Sequence, residues 1–126
     1  MSDGVGNVGA RHWPTELRLN KDKDRLIVTF ESGERVELGA EYLRVQSPSA
    51  EVKGHGQEKM PPVAGKRGVR IATLIPVGNY AVRIAFDDGH DTGLYTWDYL
   101  HDLARTHGVR WPAYLEDLGV HGMQRD

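Results

Sequence analysis

The sequence predicts an α+β domain with a body of antiparallel β-sheet arranged as two meanders, a helix after the second meander and a short C-terminal helix. Two observations predict the sheets: apolar and polar residues alternate along short segments, and turn-forming residues separate those segments. A third observation predicts the helix, because an apolar stripe with helical spacing follows the last strand. A chain of 126 residues can bury one core of this kind.

Alternating segments define both meanders. In the middle strand of the first, Leu26, Val28 and Phe30 share one face, and the segments 21–24 and 31–34 have the composition of turns. The central strand of the second meander places four large side chains on one face: Tyr80, Val82, Ile84 and Phe86. Each meander should therefore turn one apolar face toward a shared core.

The second half of the chain contains the clearest turn and helix signals. We predict turns at residues 76–79 and 87–91, followed by a helix that Thr96 caps and Gly108 ends. The buried stripe of this helix consists of Trp97, Leu100 and Ala104. A last short helix is predicted over residues 113–118.

We predict one domain, residues 13–118, between a disordered tail at residues 1–12 and a polar tail at residues 119–126. Within the domain, a helical turn over residues 39–45 should pack apolar residues against the core. The connection 51–68 is rich in Gly, Lys, Pro and Gln, which predicts a mobile segment.

Composition excludes several classes of function. Sixteen basic and 18 acidic residues are well mixed, so no basic surface indicates nucleic acid as a partner. The absence of cysteine excludes disulfides, thiolate metal sites and thiol nucleophiles. No apolar run has the length of a signal peptide core or a membrane span. We therefore expect a soluble cytoplasmic protein with no membrane partner.

The acidic turn is the first candidate for metal chemistry. Asp87, Asp88, His90 and Asp91 are residue types that bind divalent cations. Adjacent residues of a strand and turn point in different directions, however, so few of these side chains can converge. The alternative is that the aspartates accept hydrogen bonds within the turn. We favour this alternative and expect no metal; if a metal binds, these four residues are its candidate ligands.

Aromatic and imidazole side chains cluster around the same turn and the helix that follows. We assign Phe86 and Trp97 to the core, whereas both burial and exposure stay open for Tyr95 and Tyr99. His101, on the predicted helix, is assigned to the surface. The sequence contains no nucleophile elbow, phosphate-binding loop or dinucleotide fingerprint. We therefore expect that the protein is not an enzyme.

Two blocks of sequence resemble a known family. Residues 41–51 read EYLRVQSPSAE, and residues 78–95 contain GNYAVR and FDDGHDTGLY. Together with PTEL at residues 14–17, they resemble the DUF971 family, also called the gamma-butyrobetaine hydroxylase-like N-terminal domain. The resemblance covers residues 13–105.

The resemblance implies a zinc site whose ligands have largely been replaced here. In the hydroxylases that give the family its name, this domain precedes a 2-oxoglutarate- and iron-dependent oxygenase domain and holds a structural zinc through three cysteines and one histidine. The corresponding positions are Ser47, Ser49, Val52 and His90. Hydroxyl groups and a valine cannot replace thiolates, so we expect the zinc site to be lost and expect no cofactor.

The resemblance favours a non-catalytic binding or accessory domain that serves iron–sulfur or redox-enzyme assembly. Its expected partners are proteins, including iron–sulfur carriers and redox enzymes. The predicted binding patch consists of Arg44, Ser47, Ser49, Asp88, His90 and Tyr95, in which Arg44 offers a bidentate contact and His90 a pH-sensitive donor. Two alternatives stay open: a metal-binding protein that uses His90 and its neighbouring carboxylates, and a small-ligand recognition domain related to the hydroxylase N-terminal domain.

Overall fold

The computed structural model describes residues 12–48 and 61–126 of the chain. Within these ranges it contains two three-stranded antiparallel sheets and three helices. In chain order the elements are β1 (Pro14–Leu19), β2 (Arg25–Phe30), β3 (Arg35–Gly39), α1 (Ala40–Val45), β4 (Ile71–Val77), β5 (Ala81–Phe86), β6 (Gly93–Thr96), α2 (Trp97–Arg105) and α3 (His107–Val120). The predicted α+β class and both meanders are confirmed.

The first sheet has the order β1-β2-β3 and contributes one apolar face to the core. Leu26, Val28 and Phe30 are buried, as their alternation predicts. Val28 pairs with Leu17 on β1 and with Val36 on β3, so the register continues the apolar face across all three strands.

The second sheet has the order β4-β5-β6, and its central strand buries Val82, Ile84 and Phe86. The prediction for Tyr80 is wrong, because this residue is 47% exposed and lies in the turn before β5. The turn also begins later than predicted, since β4 continues through Pro76 to Val77. A proline is compatible with β4 because this strand forms an edge of the sheet.

Helices α1 and α2 join the sheets through buried residues. The Tyr42 hydroxyl on α1 donates a hydrogen bond to the Leu103 carbonyl oxygen on α2, at 2.7 Å. Thr96 caps α2 as predicted, since its hydroxyl oxygen accepts a bond from the Tyr99 amide at 3.1 Å. The buried side chains of α2 are Trp97, Leu100 and Leu103, whereas the predicted Ala104 is only partly buried.

The boundaries of the last two helices differ from the prediction. Helix α2 ends at Arg105, and Gly108 lies inside α3, which extends six residues further toward the N-terminus than the predicted helix. The Thr106 carbonyl accepts bonds from the Val109 and Arg110 amides, so a new helical turn begins there at once. Burial of Tyr114 and Leu118 within α3 adds tertiary packing, which can outweigh a single glycine or proline.

Segments near the chain ends contact the folded body. The His12 side chain lies within 3.0 Å of Asp98 on α2. At the other end, the Gly65 amide donates to the Gln124 carbonyl, and Arg125 pairs with Glu41 of α1.

The predictions for residues 1–11 and 51–60 lie outside the described ranges. In the part of the chain that the structure describes, no helix is long and apolar enough to cross a membrane.

Candidate functional site

The turn between β5 and β6 has a tightly hydrogen-bonded backbone. Gly89 adopts a φ of 95°, a left-handed conformation that favours glycine. The Phe86 amide donates to the His90 carbonyl at 2.9 Å, and the His90 amide donates to the Asp88 side chain at 3.0 Å. The turn therefore fixes the positions of Asp88 and His90, as the turn-residue alternative for this segment predicts.

Asp88 connects this turn to two basic residues from other parts of the chain. Its Oδ2 atom lies 2.8 Å from Nε of Arg44 on α1 and 2.6 Å from Nζ of Lys66. The three side chains are only 17%, 14% and 22% exposed, respectively. Burial alone would raise the pKa of Asp88, but hydrogen bonds from Lys66, the His90 amide and Arg44 outweigh it and lower this pKa to about 2. Asp88 is therefore ionised at neutral pH.

Ser47 and His90 form a second link between the end of α1 and the same turn. The Ser47 hydroxyl oxygen lies 3.0 Å from His90 Nε2. We call the five residues of these two links the polar cluster: Arg44, Ser47, Lys66, Asp88 and His90.

Tyr95 lies beneath the polar cluster as a fully buried side chain. The structure thus decides between the two alternatives for this residue in favour of the core. Its hydroxyl donates to the Leu43 carbonyl oxygen at 2.5 Å, and burial raises the pKa of this hydroxyl far above its usual value. The phenol therefore stays protonated and acts as a donor that joins β6 to α1.

Gly93 permits the close approach of Ser47 to β6. A Cβ atom added at Gly93 would overlap the Ser47 hydroxyl oxygen and lie 3.0 Å from the Tyr95 ring. The absence of a side chain at this position is therefore required for the observed placement of Ser47.

We predict that Gly93→Ala displaces Ser47 and breaks its bond to His90. The expected loss in the free energy of unfolding is about 1 kcal/mol, since the hydroxyl can rotate away and relieve part of the overlap. Urea denaturation measures the loss, and the NMR shifts of the His90 ring report the bond. Gly119→Ala is the matched control, because nothing lies near a Cβ added there. Unchanged His90 shifts in Gly93→Ala would contradict the prediction.

The structure brings together most of the predicted patch. Arg44, Ser47, Asp88 and His90 meet at the polar cluster, with Tyr95 below them, whereas Ser49 lies outside the described residues. Lys66 is an additional member that the sequence did not indicate, because a lysine in a Gly- and Pro-rich segment has the composition of a solvated loop. No local signal could have identified its pairing with Asp88.

The residues present do not fit the zinc site that the family resemblance implies. Ser47 offers a hydroxyl where a thiolate would bind, and this hydroxyl is within direct hydrogen-bonding distance of the His90 ring. Positions 49 and 52 lie outside the described residues, and their side chains are a hydroxyl and an isopropyl group. We therefore derive no role for zinc from this set of residues.

Two of the three carboxylates of the acidic turn, Asp87 and Asp88, also make other contacts. Asp87 accepts a bond from the Arg70 amide at 3.0 Å, and Asp88 is paired with Arg44 and Lys66. Within residues 12–48 and 61–126, no group of three or more His, Cys, Asp or Glu side chains is placed to hold a metal ion.

A separate cluster surrounds His101, which was predicted to lie on the surface. That prediction is wrong in part, because the side chain is only 15% exposed and its Nε2 lies 2.9 Å from Glu34. The ring stacks on His12 with the centroids 3.7 Å apart, and Phe30 lies against it edge-on at 5.3 Å. The sequence contains no signal for this contact, because it joins residues 89 positions apart in the chain.

Comparison with known proteins identifies similar sequences and structures. The family model described as gamma-butyrobetaine hydroxylase-like, N-terminal, matches residues 17–101. Two solution NMR structures are 41% and 43% identical to this chain, each with a TM-score of 0.79; they cover 93% and 94% of it, and 92% and 88% of their own chains. No curated protein matches the chain.

A crystal structure from Acidithiobacillus ferrooxidans ATCC 23270 is also similar. That protein is described as one of unknown function that belongs to the DUF971 family. It is 36% identical, with a TM-score of 0.60, over 72% of this chain and 91% of the other.

Proposed function

This chain belongs to the gamma-butyrobetaine hydroxylase-like N-terminal domain family, DUF971, and on that premise we propose that it is a non-catalytic accessory domain that binds a protein partner at the polar cluster. Arg44 is the residue that carries the proposal. The protein partners that we expect for this domain, taken from the family resemblance, are iron–sulfur carriers and redox enzymes.

The single observation that supports this function is the way in which Arg44 is anchored. Its Nε atom donates to Asp88 at 2.8 Å, whereas its two terminal nitrogens have no hydrogen-bond partner among the described residues. An arginine held through Nε keeps its terminal donors in a fixed orientation, which suits recognition of a carboxylate or phosphate. Ser47 and His90 lie in the same cluster and add polar groups beside this donor.

Pre-organisation is the physical advantage of this arrangement. Ordering a long side chain on binding costs about 0.5–1.5 kcal/mol of binding free energy. The ion pair with Asp88 already orders Arg44 in the free protein, so this cost does not weaken the binding of a partner. The ionised Asp88 also offsets one of the two positive charges of the cluster. An outside acceptor therefore meets a local positive charge that is already fixed in place.

The test is quantitative affinity capture from native lysate with the full chain as bait. We expect Arg44→Ala to reduce recovery of the specific partner about tenfold, which corresponds to the loss of one charge-assisted contact. His90→Ala should reduce recovery by a smaller factor. Candidate iron–sulfur carriers and redox enzymes recovered in this way are then titrated in purified form.

Two matched variants distinguish recognition from a general loss of structure. Lys66→Ala removes one positive charge of the polar cluster but leaves the Arg44 donors, so it should lower recovery by a smaller factor than Arg44→Ala does. Arg18→Ala removes an exposed arginine of the first sheet and should have no effect. Retention of every wild-type partner by both Arg44→Ala and His90→Ala would refute the proposal, as would turnover of a compound by the purified protein.

A further inference from the structure

The two sheets share one topology but differ in the faces that point away from the core. In the first sheet, the register places Ile27 between Arg18 and Glu37, and it places Thr29 between Glu16 and Arg35. These two outward rows carry both signs of charge, and the central Ile27 is only 6% exposed. This is the polar outer face expected of an antiparallel sheet with one solvated side.

The outward face of the second sheet has the opposite pattern. Its middle row places Arg83 between Ile75 and Leu94, and the neighbouring rows are formed by small or apolar residues with threonine at the edges. One of those rows is formed by Thr73 with Ala85, and the other by Val77 and Thr96 on either side of Ala81, which is fully buried. We call these eight residues the outer face of the second sheet. It contains one cation and no carboxylate.

Arg83 has no ion pair or hydrogen-bond partner among the described residues. Its side chain is half-buried although it lacks such a partner. Ile75 and Leu94, which are also half-buried, lie directly opposite it on the two neighbouring strands. Aliphatic neighbours reduce the hydration of a guanidinium group and strengthen its attraction to a carboxylate that covers it. An arginine without a partner between aliphatic residues has no advantage on a sheet face that contacts only water. It suits an interface in which a partner supplies the opposite charge.

The dimensions of this face match those of a helix. Neighbouring strands lie about 4.8 Å apart, so the outer strands are separated by roughly 10 Å, which is close to the diameter of an α-helix. A second copy of the chain is a poor occupant, because symmetric pairing of the face would bring Arg83 against Arg83 of the other copy. The charge of this face therefore favours a different partner with an acidic group.

We propose that the outer face of the second sheet is a docking surface for an amphipathic helix of a partner protein, which places a carboxylate from the middle of its apolar stripe on Arg83. The aliphatic side chains of this helix cover Ile75, Val77 and Leu94. The surface is distinct from the polar cluster and adds a second contact to the accessory role proposed above.

The test uses three fluorescent helical peptides of about 20 residues, a length at which isolated helices become stable. They share one leucine stripe and differ only in its central residue, which is Glu, Gln or Lys. Fluorescence anisotropy with the full chain should give the tightest binding for the Glu peptide, by at least roughly tenfold over the Gln peptide, and the weakest for the Lys peptide. Amide NMR shifts should change on β4, β5 and β6.

Charge reversal makes the test specific to Arg83. Arg83→Glu should invert the preference so that the Lys peptide binds best, and Arg83→Gln should remove the difference between the Glu and Lys peptides. Arg18→Glu makes the same change on the first sheet and should leave the preference unaltered. Arg44→Ala should also leave it unaltered, so failure here is distinguishable from failure of the polar-cluster proposal.

Three results would overturn the docking surface. They are the absence of binding by all three peptides, equal affinity of wild type for the Glu and Lys peptides, and an equal effect of Arg18→Glu and Arg83→Glu. Each of them would show that the charge of Arg83 does not select what covers this sheet.

Discussion

Tyr95→Ala is expected to lower the free energy of unfolding by about 3–5 kcal/mol, the largest effect that we predict for a single substitution. The side chain is fully buried at the centre of the contact between β6 and α1. Its removal leaves a cavity in the core and deprives the Leu43 carbonyl of its hydroxyl donor. Urea denaturation monitored by circular dichroism measures the loss.

Tyr95→Phe separates the two contributions. It keeps the ring and removes only the hydroxyl, so it should cost about 1–2 kcal/mol, the price of leaving a buried carbonyl oxygen without its donor. Tyr80→Ala is the matched control, because that tyrosine is 47% exposed and should cost less than about 0.5 kcal/mol. A loss below about 1 kcal/mol for Tyr95→Ala would contradict the assignment of Tyr95 to the core.

Tyr95 also shows where sequence patterns stop being informative. The alternation of Val82, Ile84 and Phe86 extends along a six-residue strand, and it correctly predicts which face is buried. Strand β6 has four residues and begins with a glycine, so it offers too few positions to define a period. Tyrosine is moreover common both in cores and at surfaces, and burial was decided by tertiary contact with α1.

Four of the five members of the polar cluster could be predicted from the sequence, but their contacts could not be derived. Family resemblance pointed to Arg44, Ser47, Asp88 and His90 as neighbours. Their pairing depends on how α1 packs against a turn more than 40 residues away, and no local periodicity encodes that distance. Lys66 was missed for the same reason, since its role is set by the final position of Asp88.

Helix α3 shows a different reason why a sequence pattern can fail to predict the bounds of a helix. Gly108 and Pro112 are signals that normally end or exclude a helix, yet both lie within His107–Val120. Pro112 costs one backbone hydrogen bond and Gly108 costs conformational entropy, and these penalties are local. The burial of Tyr114 and Leu118 opposes them and depends on the rest of the fold.

On the outer faces of the two sheets, the sequence predicts which side chains point outward. Which of these side chains are neighbours becomes clear only from the register of the strands. Arg83 is recognisable from alternation as an outward residue. Its aliphatic neighbours Ile75 and Leu94 become apparent only once β4 and β6 are aligned with β5. A slip of one residue would turn each of these side chains to the opposite face, so this surface follows from the pairing.

Asp88→Asn is expected to lower the free energy of unfolding at pH 7 by about 2 kcal/mol. The pKa of Asp88 falls from its usual 3.8 to about 2 in the fold, and partial exposure of the side chain limits the energy of that shift to about 1–2 kcal/mol. The neutral amide also leaves Arg44 and Lys66 beside each other without their shared carboxylate.

The pH dependence gives the sharper test, because its sign is fixed by the direction of the pKa shift. A depressed carboxyl pKa stabilises the fold above the unfolded value, near pH 4, and this stability is lost as the pH falls through the folded value, near pH 2. The difference between wild type and Asp88→Asn should therefore be constant from about pH 5 to pH 7 and shrink steadily between about pH 4 and pH 2. Urea denaturation at pH 7, 5, 4, 3 and 2.5 follows it.

A control on an exposed carboxylate removes the general effect of acid. Asp22 lies in the turn between β1 and β2 and has no ion pair among the described residues, so Asp22→Asn should track wild type at every pH. If the difference between wild type and Asp88→Asn stays constant down to pH 2.5, the carboxylate does not stabilise the fold through its charge. Arg44 would then lack the anchor on which its proposed role in recognition depends.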